Sequence, residues 1–142
     1  PTAVCSSISN ISSSESANAT GMEDIGILPL VFAVHCLGCT TDAMVKFEEV
    51  AERFQFILVR PVGIDRSWNA KYCCGKALQD NVDDVGFFNL IMDDLDANPL
   101  FDFINRELSY AVGWSNGGFM VTYAARLFRA IAPIAGYQYG DN

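Results

Sequence analysis

Ser115 lies in a sequence pattern that is typical of catalytic serines. It is the centre of the run Gly113-Trp114-Ser115-Asn116-Gly117, which has the form G-x-S-x-G, and Gly118 follows. The apolar residues 108–112 come directly before this run. In a nucleophile elbow a strand enters a sharp turn and a helix leaves it, which exposes the serine hydroxyl for attack on an acyl carbon. The pattern therefore predicts an elbow with left-handed backbone at the serine, and flanking glycines that keep side chains from colliding.

No histidine follows Ser115 in the sequence. A serine nucleophile needs a base to take its proton, and elbow-containing hydrolases place their triad in the order Ser, acid, His. The one histidine, His35, lies upstream. Asp141 is the one carboxylate after the serine and has no histidine beyond it, so we do not assign it to a triad. The motif indicates a hydrolase core that lacks its base.

Composition restricts the classes of partner. The chain has 142 residues, is 51% hydrophobic and carries a net charge of −8. A field of this sign repels polyanions, which argues against nucleic acid and anionic membranes as partners. No run approaches the roughly 18 apolar residues of a membrane span. We expect one core domain over residues 27–142, preceded by a leader over residues 1–26.

The leader is rich in serine and asparagine and has little hydrophobic periodicity, so it is predicted to be a tail or an extended arm. A segment of this composition needs an external surface to order it, which predicts a protein partner for residues 1–26. Asn10 and Asn18 each begin an Asn-x-Ser/Thr acceptor for N-glycosylation. These acceptors favour a secreted or organelle-luminal location.

The cysteines favour the same location, because disulfides persist in oxidising compartments. They are Cys5, Cys36, Cys39, Cys73 and Cys74. A zinc site would require two C-x₂-C-like pairs on exposed turns, and this spacing does not supply them. We predict no metal, no cofactor and at least one disulfide within the last four cysteines, with the connectivity open and Cys5 as the odd thiol.

Hydrophobic periodicity predicts alternating strands and helices. The strands are expected at residues 28–34, 56–61, 109–114 and 130–136, and the helices at residues 43–54, 82–96 and 117–128. Residues 63–80 are expected to form a loop. Strands that alternate with helices through short connections imply a parallel sheet with right-handed crossovers. The fold class is therefore α/β.

Five ordered segments resemble the polyhydroxybutyrate depolymerase and feruloyl esterase branch of the α/β-hydrolases. They are Ile64-Asp65-Arg66-Ser67-Trp68-Asn69, Cys73-Cys74-Gly75, residues 81–87, the elbow, and residues 130–136. The resemblance covers residues 28–136. It implies a partial α/β-hydrolase core whose four strands are the third to sixth of the family sheet, in the spatial order second, first, third, fourth. The family's acid and histidine lie on later strands that this sequence does not contain.

The resemblance also implies roles for individual residues. Ser115 corresponds to the nucleophile and the Asn116 backbone N–H to one oxyanion donor. The second donor is expected in the loop after the first strand, where Leu37 N–H is the candidate and Cys36 stands where the family prefers glycine. His35 matches a structural histidine of that loop. The implied substrate is an ester.

Two hypotheses remain open. The chain is either part of a secreted serine carboxylesterase whose triad is completed elsewhere, or a catalytically silent structural or accessory subunit of a larger assembly. The carboxylates Asp83 and Asp84 are interpreted as helix N-terminal acids that complement the helix dipole. The acidic run at residues 93–96 is interpreted as a solvated helix face.

Overall fold

Four parallel strands form the sheet of the computed structural model, which describes residues 26–136. They are β1 (Leu28–Val34), β2 (Ile57–Val59), β3 (Ile104–Trp114) and β4 (Ala130–Ile134), in the spatial order β2-β1-β3-β4. This confirms the predicted α/β class, the parallel pairing and the strand order. The expectations for Cys5, Asn10, Asn18 and Asp141, and for residues 1–25 of the leader, lie outside the described residues.

Four α-helices connect and flank the strands. They are α1 (Phe47–Phe54), α2 (Lys76–Gln79), α3 (Asp84–Ala97) and α4 (Asn116–Tyr123). Short 3-10 turns lie at Thr41–Met44, Ile64–Arg66, Pro99–Phe101 and Ala125–Leu127. The first predicted helix is therefore a 3-10 turn followed by a shorter α1, and the third predicted helix ends at Tyr123 with a 3-10 turn beyond it. The predicted loop at residues 63–80 contains α2.

The larger core lies on the sheet face that α3 and α4 cover. Leu30, Phe32 and Val34 point to this face from β1 and are almost fully buried, because a central strand of a parallel sheet is covered on both sides. From the helices they meet Phe88, Met92, Met120 and Val121. Trp68, from the β2–α2 loop (residues 60–75), is also fully buried in this core. Trp68 therefore anchors the loop in the same hydrophobic core that α4 packs against.

The opposite sheet face is covered less completely. Ala33 and Val112 pack there with Met44, and α1 lies over its β1 side. Toward β4 an apolar groove of about 340 Å³ remains open, lined by residues from β1, α1, β3 and β4. Most of β4 is exposed. Within residues 26–136, no helix has the length and apolar content needed to cross a membrane.

Candidate nucleophile elbow

Ser115 occupies the turn between β3 and α4 with φ of 53° and ψ of −115°. The left-handed φ confirms the geometry that the sequence predicts for an elbow. The turn is fixed at both ends, because Ser115 N–H donates to Ile134 O at 2.8 Å and Ser115 O accepts from Phe119 N–H at 3.0 Å. The residue is half-exposed, and its side chain makes no capping hydrogen bond to α4 within the described residues. Its hydroxyl is available to a ligand.

The glycines on either side of Ser115 are required for different reasons. A Cβ on Gly113 would lie 2.1 Å from Gly117 O, so this glycine allows the two arms of the elbow to approach. A Cβ on Gly117 would lie 2.2 Å from Val34 O and 2.6 Å from His35 O, at the end of β1. The nearest clash of a side chain at position 117 is therefore with the end of β1. That glycine lets α4 pack against the neighbouring strand.

Two backbone amides are placed at the carboxyl ends of adjacent strands. Asn116 begins α4 after β3, and Leu37 lies in the loop after β1. Gly38 fixes the Leu37 loop with a φ of 73° and an N–H that donates to Arg66 O at 2.8 Å. Neither the Asn116 N–H nor the Leu37 N–H has a hydrogen-bond acceptor within residues 26–136. Both could serve as donors to a ligand oxygen.

The Asn116 side chain connects the elbow to the β2–α2 loop. It is fully buried, its Oδ1 accepts from Trp68 N–H at 2.8 Å, and its Nδ2 donates to Trp68 O at 3.0 Å. Nδ2 also donates to Cys73 O at 3.3 Å. A buried amide with all these partners is held in one orientation. The motif predicts a role only for the backbone N–H of Asn116; the role of the side chain could not be predicted, since its partners lie more than 40 residues earlier in the chain.

His35 is fully buried, and both of its ring nitrogens have partners. Nδ1–H donates to Cys36 O at 2.8 Å, and Nε2 accepts from Gly63 N–H at 3.1 Å. This is the neutral imidazole, since one nitrogen donates and the other accepts. Burial lowers the pKa of His35, although the hydrogen bond to Cys36 opposes the shift. The backbone His35 O accepts from Trp68 Nε1–H at 2.9 Å, so the residue joins β1 to the β2–α2 loop.

The four cysteines of the described residues form two pairs at disulfide distance, Cys36–Cys39 and Cys73–Cys74. Each pair lies within one loop, and neither bridges the two loops. The prediction of at least one disulfide among these residues is confirmed, and the pairing is compatible with an extracellular location. Among residues 26–136, no group of three or more His, Cys, Asp or Glu side chains could hold a metal ion.

The paired acids at the start of α3 have structural contacts. Asp83 is the N-cap, and its carboxylate accepts from Gly86 N–H at 2.8 Å. Asp84 is buried and accepts from Asn69 N–H at 2.6 Å. Burial raises the pKa of Asp84, although the hydrogen bond from Asn69 opposes the shift. Asp84 and Asn116 therefore hold the β2–α2 loop at two adjacent residues, Asn69 and Trp68.

The acidic face of α3 is not purely solvated. Arg106 of β3 donates to Asp93 at 2.5 Å and to Asp96 at 3.1 Å, which ties the exposed side of the helix to the sheet. Such a contact between a helix and the next strand could not be predicted from the charge run itself.

The fold and the turn define the class as an α/β protein with a serine at a strand-to-helix elbow. Comparison with known proteins adds no relative, because no family model, curated protein or solved structure matches the chain. The resemblance to the depolymerase and feruloyl esterase branch therefore remains a prediction based on the motifs.

Proposed function

We propose that this chain contributes the nucleophile and the oxyanion donors of a serine carboxylesterase site of the polyhydroxybutyrate depolymerase and feruloyl esterase type. The observation that carries the proposal is the backbone of Ser115, whose left-handed φ at a strand-to-helix turn is costly for a residue other than glycine. Strain of this kind persists where the surrounding structure enforces it. Here the glycines, the Ile134 hydrogen bond and the buried Asn116 enforce it.

The chemistry of such a site is acyl transfer. Ser115 Oγ attacks the ester carbonyl carbon, and the carbonyl oxygen becomes an oxyanion that accepts from Asn116 N–H and Leu37 N–H. Collapse of the tetrahedral intermediate expels the alcohol, and water then releases the acid from the acyl-serine. The N-terminus of α4 adds a favourable dipole for the negative charge.

No histidine of residues 26–136 is free to act as the base. His35 is the one histidine of the sequence, and its two ring nitrogens are occupied by Cys36 O and Gly63 N–H. Reaction by this chain should therefore be feeble, with at most about 10³–10⁴-fold acceleration over water from binding and the oxyanion amides. In the proposed site, a base outside these residues accepts the Ser115 proton.

The experiment supplies that base from solution. The purified 142-residue chain is incubated with p-nitrophenyl acetate and imidazole, and the protein mass is followed with time. We expect imidazole to accelerate the formation of an acetyl group on Ser115, because a serine nucleophile needs a base to take its proton. Ser115→Ala corrects for hydrolysis by imidazole itself. The matched control is Ser109→Ala, which changes a buried serine of β3, the strand that leads to the elbow. Acetylation that is equal in the parent and in Ser115→Ala would refute the proposal.

A silent accessory subunit is the second candidate. The exposure of β4 and the open apolar groove beside it favour this candidate, since both are surfaces that a partner protein could cover. In that case Ser115→Ala should leave assembly intact, and no acetylation should occur with or without imidazole.

A further inference from the structure

The Cys73–Cys74 pair lies against the residue that provides the proposed oxyanion donor. Asn116 Nδ2 donates to Cys73 O at 3.3 Å and approaches Cys73 Sγ at 3.9 Å. The same Nδ2 donates to Trp68 O at 3.0 Å. The amide is thus held from two sides, by Trp68 of the core and by Cys73 of the surface part of the loop. Its orientation depends on where the Cys73 carbonyl lies.

A disulfide between neighbouring residues fixes that carbonyl more closely than a longer bridge would. The ring that it closes contains the peptide unit joining the two cysteines, so that the torsions on either side of Cys73 O can no longer turn independently. Hydrogen bonds also hold this part of the loop, among them Ala70 N–H to Cys73 O at 3.1 Å and Tyr72 N–H to Ala70 O at 2.7 Å. The disulfide adds a covalent restraint on the Cys73 carbonyl to these bonds.

We propose that the Cys73–Cys74 disulfide is a positioning element of the elbow that holds the Asn116 backbone N–H in place through the Asn116 side chain. Reduction of this disulfide by a dithiol removes its restraint on the Asn116 side chain. An effect of this disulfide on catalysis rests on the proposed function. The coupling between the disulfide and the Asn116 side chain does not. Cys36–Cys39 closes its ring around Leu37, and neither of these cysteines is among the hydrogen-bond partners of the Asn116 side chain in the described residues.

The redox step is a two-electron exchange. One thiolate of the dithiol attacks a sulfur of the Cys73–Cys74 bond and forms a mixed disulfide, and the second thiol resolves it. The products are two cysteine thiols, which take the protons, and the cyclic disulfide of the reagent. Cys73 and Cys74 are half-exposed, as is Cys39, whereas Cys36 is buried. A small dithiol can therefore reach the vicinal pair.

The test isolates each disulfide in a Cys5→Ser background. One variant adds Cys36→Ser and Cys39→Ser and keeps only the vicinal pair. The reciprocal variant adds Cys73→Ser and Cys74→Ser and keeps only the other pair. Both are labelled with ¹⁵N-tryptophan and ¹⁵N-asparagine, and spectra are recorded before and after dithiothreitol.

Two resonances report on the coupling. In the variant that keeps the vicinal pair, reduction should accelerate hydrogen exchange of Trp68 backbone N–H by about tenfold, because its acceptor Asn116 Oδ1 loses one of its restraints. The Asn116 backbone amide should also change chemical shift, which a loop without contact to the elbow would not cause. The reciprocal variant should show neither change. Adding Asn116→Ala to the first variant should abolish the Trp68 response to reduction.

The inference is overturned when reduction of the vicinal pair leaves both resonances unchanged, or when both variants respond equally. Should a serine variant fail to fold, the Cys5→Ser protein itself is compared oxidised and reduced, with an unchanged Asn116 amide again counting against coupling. Failure of Ser115 acetylation together with a Trp68 and Asn116 response rejects the proposed function and keeps the positioning role. Acetylation of Ser115 without a Trp68 and Asn116 response rejects the positioning role and keeps the proposed function.

Discussion

Substitution of Gly117 by alanine tests whether the contact between α4 and the end of β1 fixes the elbow. The added Cβ would lie 2.2 Å from Val34 O and 2.6 Å from His35 O. Val34 is the last residue of the central strand β1, and His35 O accepts from Trp68 Nε1–H, so these backbone atoms cannot turn away as a flexible side chain would. Relief requires α4 to move away from β1 by about 1 Å, which also displaces Ser115.

The magnitude follows from two opposing effects. Alanine in place of glycine within a helix favours folding by up to about 1 kcal/mol. Overpacking against fixed atoms costs about 1–3 kcal/mol, and more where the clash is with backbone. For Gly117→Ala, with contacts more than 1 Å too short, we expect a net loss of about 3 kcal/mol of unfolding free energy. This corresponds to a decrease in Tm of about 10 °C for a domain of this size.

The assay is urea unfolding followed by circular dichroism, with Gly26→Ala as the control. A Cβ on Gly26 would have no heavy atom within 4 Å, so this substitution should change the unfolding free energy by less than about 0.5 kcal/mol. Equal stability of Gly117→Ala and the parent protein would refute the argument that this glycine is required by close packing.

Three further predictions concern charged and titratable groups. Asp84 has a raised pKa, so its contribution to the free energy of unfolding is full below about pH 3.9 and is lost as the pH rises through the folded pKa. Asp84→Asn can still accept from Asn69. This variant should lack that decrease in unfolding free energy in urea titrations between pH 4 and 7. His35 has a lowered pKa, so its contribution to the free energy of unfolding is present above about pH 6.5 and is lost as the pH falls through the folded pKa. His35→Gln should reduce the dependence of unfolding free energy on pH in that range, and an unchanged slope would contradict this expectation. Arg106→Gln breaks an exposed contact to Asp93 and should cost less than about 1 kcal/mol, with the difference shrinking in high salt.

Local sequence patterns were sufficient to predict the parallel strands, whereas their spatial order was implied by the resemblance. The apolar run of β1 matched its observed bounds, and the glycine spacing placed the turn at Ser115, because both depend on neighbours in the chain. β3 begins five residues earlier than the predicted strand. Its first part is polar, pairs with β1 only at Leu28 and Ile104, and is followed by an irregularity in register. Strand periodicity is weak where a strand is only partly paired.

The contacts that hold the elbow could not be predicted in this way. Asn116 reads as a helix N-terminal residue, and its three partners become neighbours only when the β2–α2 loop folds over β1. Asp84 likewise appears as an ordinary first-turn acid, whereas its burial depends on the loop at Asn69. The reason for Gly117 is a third example, since the clash is with another strand. Tertiary contacts of this kind leave no periodic pattern in the sequence.

The strand order also determines when the elbow can form during folding. β1 lies between β2 and β3, and its pairing of Val31 with Tyr110 joins residues that are separated by most of the described chain. Folding rates decrease as such contacts become more distant in sequence, because the loop must close before the pairing stabilises it. The two disulfides, which close rings of only a few residues, do little to shorten that loop. The turn at Ser115 is therefore expected to form late, after β3 has paired with β1, and folding should be slower than in helical domains of equal length.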